Sequence, residues 1–576
     1  MDQAATGANN GESWADAYTD LQDALEDAEG DPNITEIWVA QGVYVPSVEY
    51  FTQEGDPTHW HKTFRLIDAV KIYGGFVGVE ALLTERDPEN NITTLSGDLG
   101  DPAPPCEQGG DCFEANGTPG CDDDNCCDAV CALDPSCCIV AWDGQCAGFA
   151  AGLCSPVNNA FHVVTADEVG PDTALNGFTV TGGRADLDEG ENFGGGMWVV
   201  ASNPKVVRCT FTDNLAGGGA AIARQDTVGG QMVVVNCSFT SNTARFKGGA
   251  VDGDEIVIVN CVFSGNVAQS EGGGGGGGAI FGGDLILTNC SFEGNAAQGD
   301  GLGGGILLHL GTTSTLTNCI LWGNTTVSLG DTVEDEQISL GCPPGTVTVT
   351  YTCIEGLVSG GQFNNLINVF NIGLDPEFVD EISGNLRLLA FSPCIDTADN
   401  DAIPDDVGDL DDDGNTGEET PYDLDLLDRT QDSSADCVET VDMGAYEFQP
   451  CLWDLDNDCS VGASDLLALL AAWGTDPGAP PDFDCDSNVG ASDLLTLLAN
   501  WGLCPCGTGA EPPSLQDELD DACLSGAHWD DFLDKMETGS SAEQANYICW
   551  LTHYFEDCTR CICIGASGCP GADPFN

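Results

Sequence analysis

Carboxylates at fixed intervals are the most chemically explicit feature of this sequence. Residues 454–465 read DLDNDCSVGASD and residues 482–493 read DFDCDSNVGASD. Asp454, Asp456, Asp458 and Asp465 hold positions 1, 3, 5 and 12 of the first stretch, and Asp482, Asp484, Asp486 and Asp493 hold the same positions of the second. Oxygen donors at that spacing suit calcium, a hard cation that takes roughly six to eight oxygen ligands. Position 7, Ser460 and Asn488, would add a backbone carbonyl. An apolar run follows each stretch, LLALLAAWG and LLTLLANWG, so a helix should start at the end of each loop. The whole unit recurs after 28 residues, which the alternative reading, a merely solvated acidic loop, does not explain. Calcium is therefore the expected cofactor. A half-match lies at Asp409, Asp411, Asp413 and Asn415, with Thr420 at position 12.

Catalytic chemistry is harder to find. Arg224, Arg245 and Lys247 lie near glycine-rich loops, with Asp252 and Asp254 close in sequence. Their plain reading is solvated turn residues, and His162 and His309 read as strand residues with satisfied rings. Paired carboxylates occur throughout, so their presence discriminates nothing, and no catalytic residue is assigned.

The duplicated loop-helix unit resembles a type I dockerin, whose loops close on Asp rather than Glu at position 12, as Asp465 and Asp493 do. The resemblance implies an EF-hand-like calcium module that docks a cohesin. Position 6, glycine in that family, is Cys459 and Ser487, and position 9 is Gly462 and Gly490. The partner-reading positions 10 and 11 are Ala463-Ser464 and Ala491-Ser492, identical in both halves, which would permit two-way docking.

These loops hang from a repeat. Between Val206 and Asn324 one phrase is stated five times: a β-branched run, Asn (or Arg208), Cys, a large apolar residue two on, Asn three later, then Gly-Gly before a second apolar run. The cysteines fall at 209, 237, 261, 290 and 319, a period of 24 to 29 residues, which marks a solenoid. The apolar runs are short, rich in Val, Ile and Thr, and bounded by Gly and Asn, so the repeating elements are strands. One repeat cannot bury its own face; stacked ones can. If the five cysteines share one coil position they form an internal column. Parallel Cβ vectors disfavour bridging within it, so they should be free buried thiols.

The phrase resembles a coil of the right-handed parallel β-helices of bacterial secreted proteins with FxxN and GGA/I signatures, related in fold to pectate lyases and polymorphic outer-membrane proteins. The matching residues are Phe211-Asn214, Phe239-Asn242, Phe263-Asn266 and Phe292-Asn295, with glycine pairs at 218–219, 248–249, 277–278 and 304–305. The resemblance covers about residues 160–390. SPCID at 392–396 and VDMGAYEF at 441–448 resemble the closing segment of secreted repeat proteins of the choice-of-anchor type.

The expected fold class is thus an all-β solenoid, with an N-terminal capping helix, a Cys-rich insert and small α-helical C-terminal modules. In order, we read an N-terminal cap and first coils (1–105), a disulfide-rich insert (106–154), coils (155–380), a closing segment (381–450), the dockerin-like calcium module (451–506) and a Cys-containing helical module (507–576). The cap is a helix within residues 1–30, with Ser13 and Asp16 as a capping pair and Trp14, Ala17, Leu21, Ala24, Leu25 and Ala28 on one stripe. The insert packs ten cysteines into 49 residues; disulfides, in a pairing the sequence does not define, or a zinc site would staple it. Cys451 is expected to pair with Cys504 or Cys506, because a duplicated module folds with its ends together.

Composition sets the class of partner. Lys plus Arg number 14 against 95 Asp plus Glu, a formal charge of −81. That excludes nucleic-acid binding through phosphates and repels anionic surfaces unless a cation bridges them. Thirty cysteines do not suit a reducing cytosol. No apolar run approaches the length of a membrane span. The expected setting is extracellular or at the cell surface, with export directed by a leader outside this chain. The expected partners are an extracellular polysaccharide or a surface protein, and a cohesin-like scaffold. The leading functional expectation is a calcium-binding structural, adhesive or glycan-binding protein. A polysaccharide lyase or glycosidase is the alternative, although no run such as NTD, GHG or RIK occurs.

Overall fold

The computed structural model describes residues 1–49, 61–99, 137, 146, 159–185, 193–225, 229–271, 275–309, 312–326, 336–340, 346–357, 366–431, 438–448, 451–455, 460–475, 477 and 480–503. The chain divides into two compact units, residues 1–430 with 441–447, and residues 431–440 with 448–576.

The first unit is a parallel β-solenoid. Among the described residues its strands form sheets of ten, nine, eight and six strands, and each strand pairs with the equivalent strand one coil away. The ten-stranded sheet runs from Glu36–Ala40 to Leu366–Val369, the nine-stranded from Gly42–Tyr44 to Cys353–Ile354, and the eight-stranded from Phe64–Arg65 to Ile338–Leu340. The six-stranded sheet runs from Arg184–Ala185 to Thr325–Thr326, so six successive coils have a strand in all four sheets. Register is strict where the repeat phrase is clearest: Phe211 pairs with Phe239, Phe239 with Phe263, and Phe263 with Phe292.

That register turns each conserved letter of the phrase into a column. The four phenylalanine rings stack inside the coil with centroids 5.3, 4.6 and 4.7 Å apart. Each buried ring contributes on the order of 1.5–3 kcal/mol through removal of apolar surface from water. Cys209, Cys237, Cys261, Cys290 and Cys319 form the expected column: all five are buried free thiols, and Cys209 N lies 3.4 Å from Cys237 Sγ. Thr352 succeeds them, its hydroxyl accepting from Cys319 N at 3.3 Å. Burial pushes the Cys209, Cys261 and Cys319 thiols well above their ordinary range.

The asparagines before the cysteines have a conformational cause. Asn236, Asn260, Asn289 and Asn318 have φ of 50, 51, 53 and 57°, left-handed values that Asn tolerates better than most side chains. Arg208 and Tyr351 take φ of 51 and 49° at the same corner. The second asparagine of the phrase makes a ladder: Asn242 Nδ2 donates to Asn266 Oδ1 at 3.0 Å, and Asn266 Nδ2 to Asn295 Oδ1 at 2.9 Å. The column continues through Asn324 to Gln337. The glycine pairs mark close backbone approach. A Cβ on Gly249 would lie 1.9 Å from Gly278 O, and one on Gly278 2.0 Å from Gly304 O.

At the N-terminus the chain differs from expectation. Ser13 and Asp16 cap a short 3₁₀ turn, Trp14–Asp16, and the helix α1 begins only at Leu21, capped by Asp20. Ala17, extended at φ −59 and ψ 153°, separates the two. Leu21, Ala24, Leu25 and Ala28 nevertheless face the apolar interior shared with the first strands.

After the last coil strand, Phe378–Asp380 and Asn385–Leu388 pair antiparallel. Residues 398–430 and 441–447 then run back along the solenoid as a strap. The strap uses the left-handed corner: Asn236 Nδ2 donates to Asp423 O (2.6 Å), Asn260 Nδ2 to Tyr422 O (2.7 Å) and Asn318 Nδ2 to Asp399 O (3.0 Å). Leu410 packs on Val207, Val235 and Val259. The SPCID and VDMGAYEF stretches meet through Met443 N to Cys394 O at 3.0 Å and Asp396 N to Asp442 Oδ1 at 2.7 Å. Buried Arg429 donates to Gly444 O at 2.7 Å and pairs with Glu447 at 3.3 Å.

In the second unit α2 (Ala463–Ala471) and α3 (Ala491–Ala499) pack around Val461, Leu466, Leu469, Leu470, Val489, Leu494 and Leu497. Leu467 packs at the edge of this core, whereas Leu495 is 52% exposed. Among the insert's residues, Cys137 and Cys146 are disulfide-bonded; its other eight cysteines and the 507–576 module lie outside the described residues. Cys451 and Cys485 are disulfide-bonded as well, whereas Cys504 and Cys506 lie outside the described residues. No helix among the described residues is long and apolar enough to cross a membrane.

Candidate functional site

The two aspartate loops have matching geometry wherever both are described. Each helix begins at position 10, with Gly462 or Gly490 as N-cap. The position-12 carboxylate therefore falls in the first helical turn, buried, and folds the loop back on itself. Asp465 Oδ1 accepts from Leu455 N at 2.6 Å and Oδ2 from Gly462 N at 2.7 Å; Asp493 accepts from Phe483 N and Gly490 N, both at 2.6 Å. A short antiparallel pairing of Ser460–Val461 with Gly502–Leu503 ties the first loop to the end of α3.

Asp482, Asp484 and Asp493 bring ligand oxygens within 4.8 Å of one another, a group that could hold a metal ion. The donor set fits a hard cation on one further observation: Asp482 is 4% exposed, and its Oδ1 has no hydrogen-bond partner. Burial, with the negative charges of Asp493, Asp486 and Asp484, raises the Asp482 carboxyl above its usual range, and a divalent ion would relieve both effects. Asp486 and Asn488 sit exposed at the rim. Ser487, at position 6, has φ of 67°, so the turn there takes the conformation in which glycine is the least strained residue. In the first loop Asp454 is 7% exposed and Asp465 1%, with Ser460 half-buried; Asp456 and Asp458 lie outside the described residues.

The half-match at 409–415 is a loop on the strap, pinched by the Asp405–Glu419 bridge and by Asp406 N donating to Glu418 O at 2.7 Å. Asp409, Asp411 and Asp413 form one group that could hold a metal ion, and Asp406, Asp411 and Glu418 form another. Asn415 turns away from the first group, donating to Glu418 Oε2 at 2.8 Å. Thr420 is committed to Pro404 O at 2.8 Å, so position 12 supplies no ligand. Asp406 precedes the twelve-residue frame and Glu418 falls at its position 10, which the ligand pattern does not use; only their convergence at the neck of the loop reveals them.

A third constellation was dismissed at the sequence level. Lys247, Asp252 and Asp254 of one coil meet Phe193, Phe281 and His309 of other coils over the eight-stranded sheet, in a cleft of about 400 Å³. Lys247 Nζ lies 3.2 Å from Asp252 and 4.3 Å from the centroid of Phe281, with the Phe193 ring at 5.7 Å. His309 Nε2 is 2.5 Å from Asp254 Oδ1. Asp252 and Asp254 share a face because they are two apart on the strand Val251–Asp254. Burial, with Lys247 opposing and Asp254 reinforcing it, pushes Asp252 up to about 6. Arg224 is structural: it donates to Asp254 O, to Glu255 O at 3.2 Å and to Gly230 O at 3.1 Å. Arg245 pairs with Glu271 at 2.8 Å. His162 is a core residue, its Nδ1 2.9 Å from Gly194 O and its ring stacked on Trp198 at 4.8 Å; burial lowers it to about 4.

No family model matches this chain, and no curated protein matches it.

Proposed function

We propose that this chain is an extracellular or cell-surface calcium-binding β-helix that binds a glycan in the cleft over its eight-stranded sheet. In this reading the coil is right-handed, the common hand of parallel β connections, and α1 caps its first coil. The module at 451–503 is dockerin-like, takes calcium through the two aspartate loops and docks the solenoid to a cohesin-like partner or another surface protein. The observation that carries the glycan assignment is the cleft itself. Two half-buried phenylalanine rings flank a lysine and two carboxylates in one concavity, an apolar surface beside fixed polar groups of the kind that recognises a sugar's faces and hydroxyls. The formal charge of −81 favours a neutral glycan over a polyuronate, which would need bridging calcium.

One observation favours a second reading, hydrolysis. Asp252, raised to about 6 beside Asp254, has the proton affinity of a general acid paired with a second carboxylate. Titration calorimetry of the full chain with neutral and uronic oligosaccharides in calcium tests the first reading, and product analysis of the same mixtures tests the second. Binding lost in Phe281→Ala and in Lys247→Ala supports the cleft as the site. Absence of binding across the panel refutes it, and turnover that disappears in Asp252→Asn moves the assignment to an enzyme.

A further inference from the structure

We infer that the strap carries its own divalent-cation site, held by Asp406, Asp411 and Glu418, and that occupancy of this site locks the strap onto the solenoid. The inference shares the calcium-binding reading of the chain but concerns the first unit and not the aspartate loops at 454–493. Three carboxylate oxygens converge within 4.8 Å. Asp406 is 0% exposed; its Oδ2 accepts from Leu410 N at 2.8 Å, while its Oδ1 is buried with no partner. Glu418 repeats the pattern: Oε2 accepts from Asn415, and Oε1 is buried with no partner. An unpartnered carboxylate oxygen in a fully buried aspartate is costly on its own. Two of them facing a third carboxylate demand a counter-charge. Among the described residues no Lys or Arg pairs with Asp406, Asp411 or Glu418: Arg86 and Arg208 are engaged by Asp412, and Lys205, whose charge reaches Asp406 and Asp409, makes no ion pair with either. Oxygen-only donors of this charge select a hard divalent ion, calcium by ligand type, with water and backbone carbonyls completing the shell.

The placement gives the site its consequence. Asp411 lies between two residues that grip the solenoid. Leu410 is buried on Val207, Val235 and Val259. Asp412 takes Arg86 Nη2 on both carboxylate oxygens at 3.2 Å and approaches Arg208 at 3.7 Å. A cation that fixes Asp406 against Asp411 therefore fixes both grips, and without it the loop must hold its repelling carboxylates together through packing alone.

Hydrogen-exchange mass spectrometry on the full chain, with calcium or with chelator, tests this locally. At a tenfold excess of calcium over Kd, amides in peptides covering 405–420 should exchange about tenfold more slowly than in chelator. Asp411→Asn and Asp406→Asn should each abolish that difference while leaving calcium-dependent protection in peptides from 460–503 intact. Asp411 is the gentler substitution because it is half-buried, and unchanged protection in coil peptides from 206–324 would certify that a variant is folded. Equal exchange at 405–420 with and without calcium in the wild type overturns the inference, whatever the 460–503 peptides do. A calcium effect that survives both substitutions overturns the ligand assignment. Loss of calcium dependence only at 460–503 would instead refute the aspartate-loop reading.

Discussion

Removing one rung of the asparagine ladder should unsettle the solenoid in one direction more than the other. Asn266 is fully buried, at 0% exposure. Its Nδ2 donates to Phe239 O at 2.8 Å and to Asn295 Oδ1 at 2.9 Å, while its Oδ1 accepts from Asn242 N at 3.1 Å and Asn242 Nδ2 at 3.0 Å. Asn266→Ala deletes all four bonds. The losses are unequal. Asn295 Oδ1 keeps Asn266 N at 3.0 Å, and Asn242 Nδ2 keeps Phe211 O at 2.9 Å. The Asn242 N–H and Phe239 C=O, both interior, lose these side-chain partners. With about 1 kcal/mol for a lost bond and ~1–3 kcal/mol for a stranded buried backbone group, the expected destabilisation is about 3–5 kcal/mol. Long repeat arrays need not unfold in one step, so native-state hydrogen exchange read coil by coil is the appropriate assay. Protection should fall by at least about a hundredfold, more in the coil of Asn242 than in that of Asn295. Thr240→Ala, on a half-buried residue of a neighbouring strand, is the control and should stay within about 0.5 kcal/mol. Equal effects from the two substitutions would refute the claim that the ladder, rather than strand pairing alone, sets coil stability.

Three other expectations are direct. Chelator should remove a low-temperature calorimetric transition from the 451–503 module, because calcium at a hundredfold excess over Kd contributes about 2.7 kcal/mol to a small core; Asp482→Ala should act like chelator on the second loop, and an unchanged profile in chelator would exclude calcium as a structural element there. Ser487→Gly should stabilise the second loop by about 1 kcal/mol, since it relieves a φ of 67°, and should tighten calcium binding; a weaker site would show that the serine hydroxyl matters more than the turn. Burial and the neighbouring Glu381 push Glu293 up to about 7, with Ser264 opposing. A carboxyl raised in the folded state binds more protons there than when unfolded, so its contribution to stability falls as pH rises from the unfolded value near 4.5 to about 7. Glu293→Gln should therefore raise Tm at pH 8 and change it little near pH 4; an equal shift at both would indicate a packing effect.

Periodicity carried the solenoid because a period fixes which residues stack, and stacking alone decides burial for Phe211, Phe239, Phe263 and Phe292. It carried the Cys209–Cys319 column for the same reason. The onset of α1 was misjudged because Trp14 and Ala17 fit a helical stripe, while the Asp20 cap that starts the helix competes locally with Ser13. The second aspartate loop was legible because Asp482, Asp484 and Asp493, which converge there, lie within twelve residues. The strap site and the cleft were not: Asp406 meets Glu418 across a loop neck, and the cleft joins Lys247 and Asp252 of one coil to Phe281 of the next and His309 of the one after. The cleft is set by inter-coil register and the strap site by closure of a loop neck, and neither is encoded by a short motif.

The chain keeps its cysteines in two chemical states at once. Cys137 and Cys146 are joined, and Cys451 and Cys485 are bonded, yet the column from Cys209 to Cys319 is reduced. An oxidant acting on the unfolded chain has no means of telling these thiols apart, since all are then exposed. Only coil closure distinguishes them, by sealing each column sulfur behind its own turn of backbone. In an oxidising setting each coil must therefore close before its cysteine meets an oxidised partner. A coil that closed slowly there would leave its cysteine open to a misplaced bond that only thiol–disulfide exchange could undo, so the rate at which the solenoid zips would matter as well as its final stability.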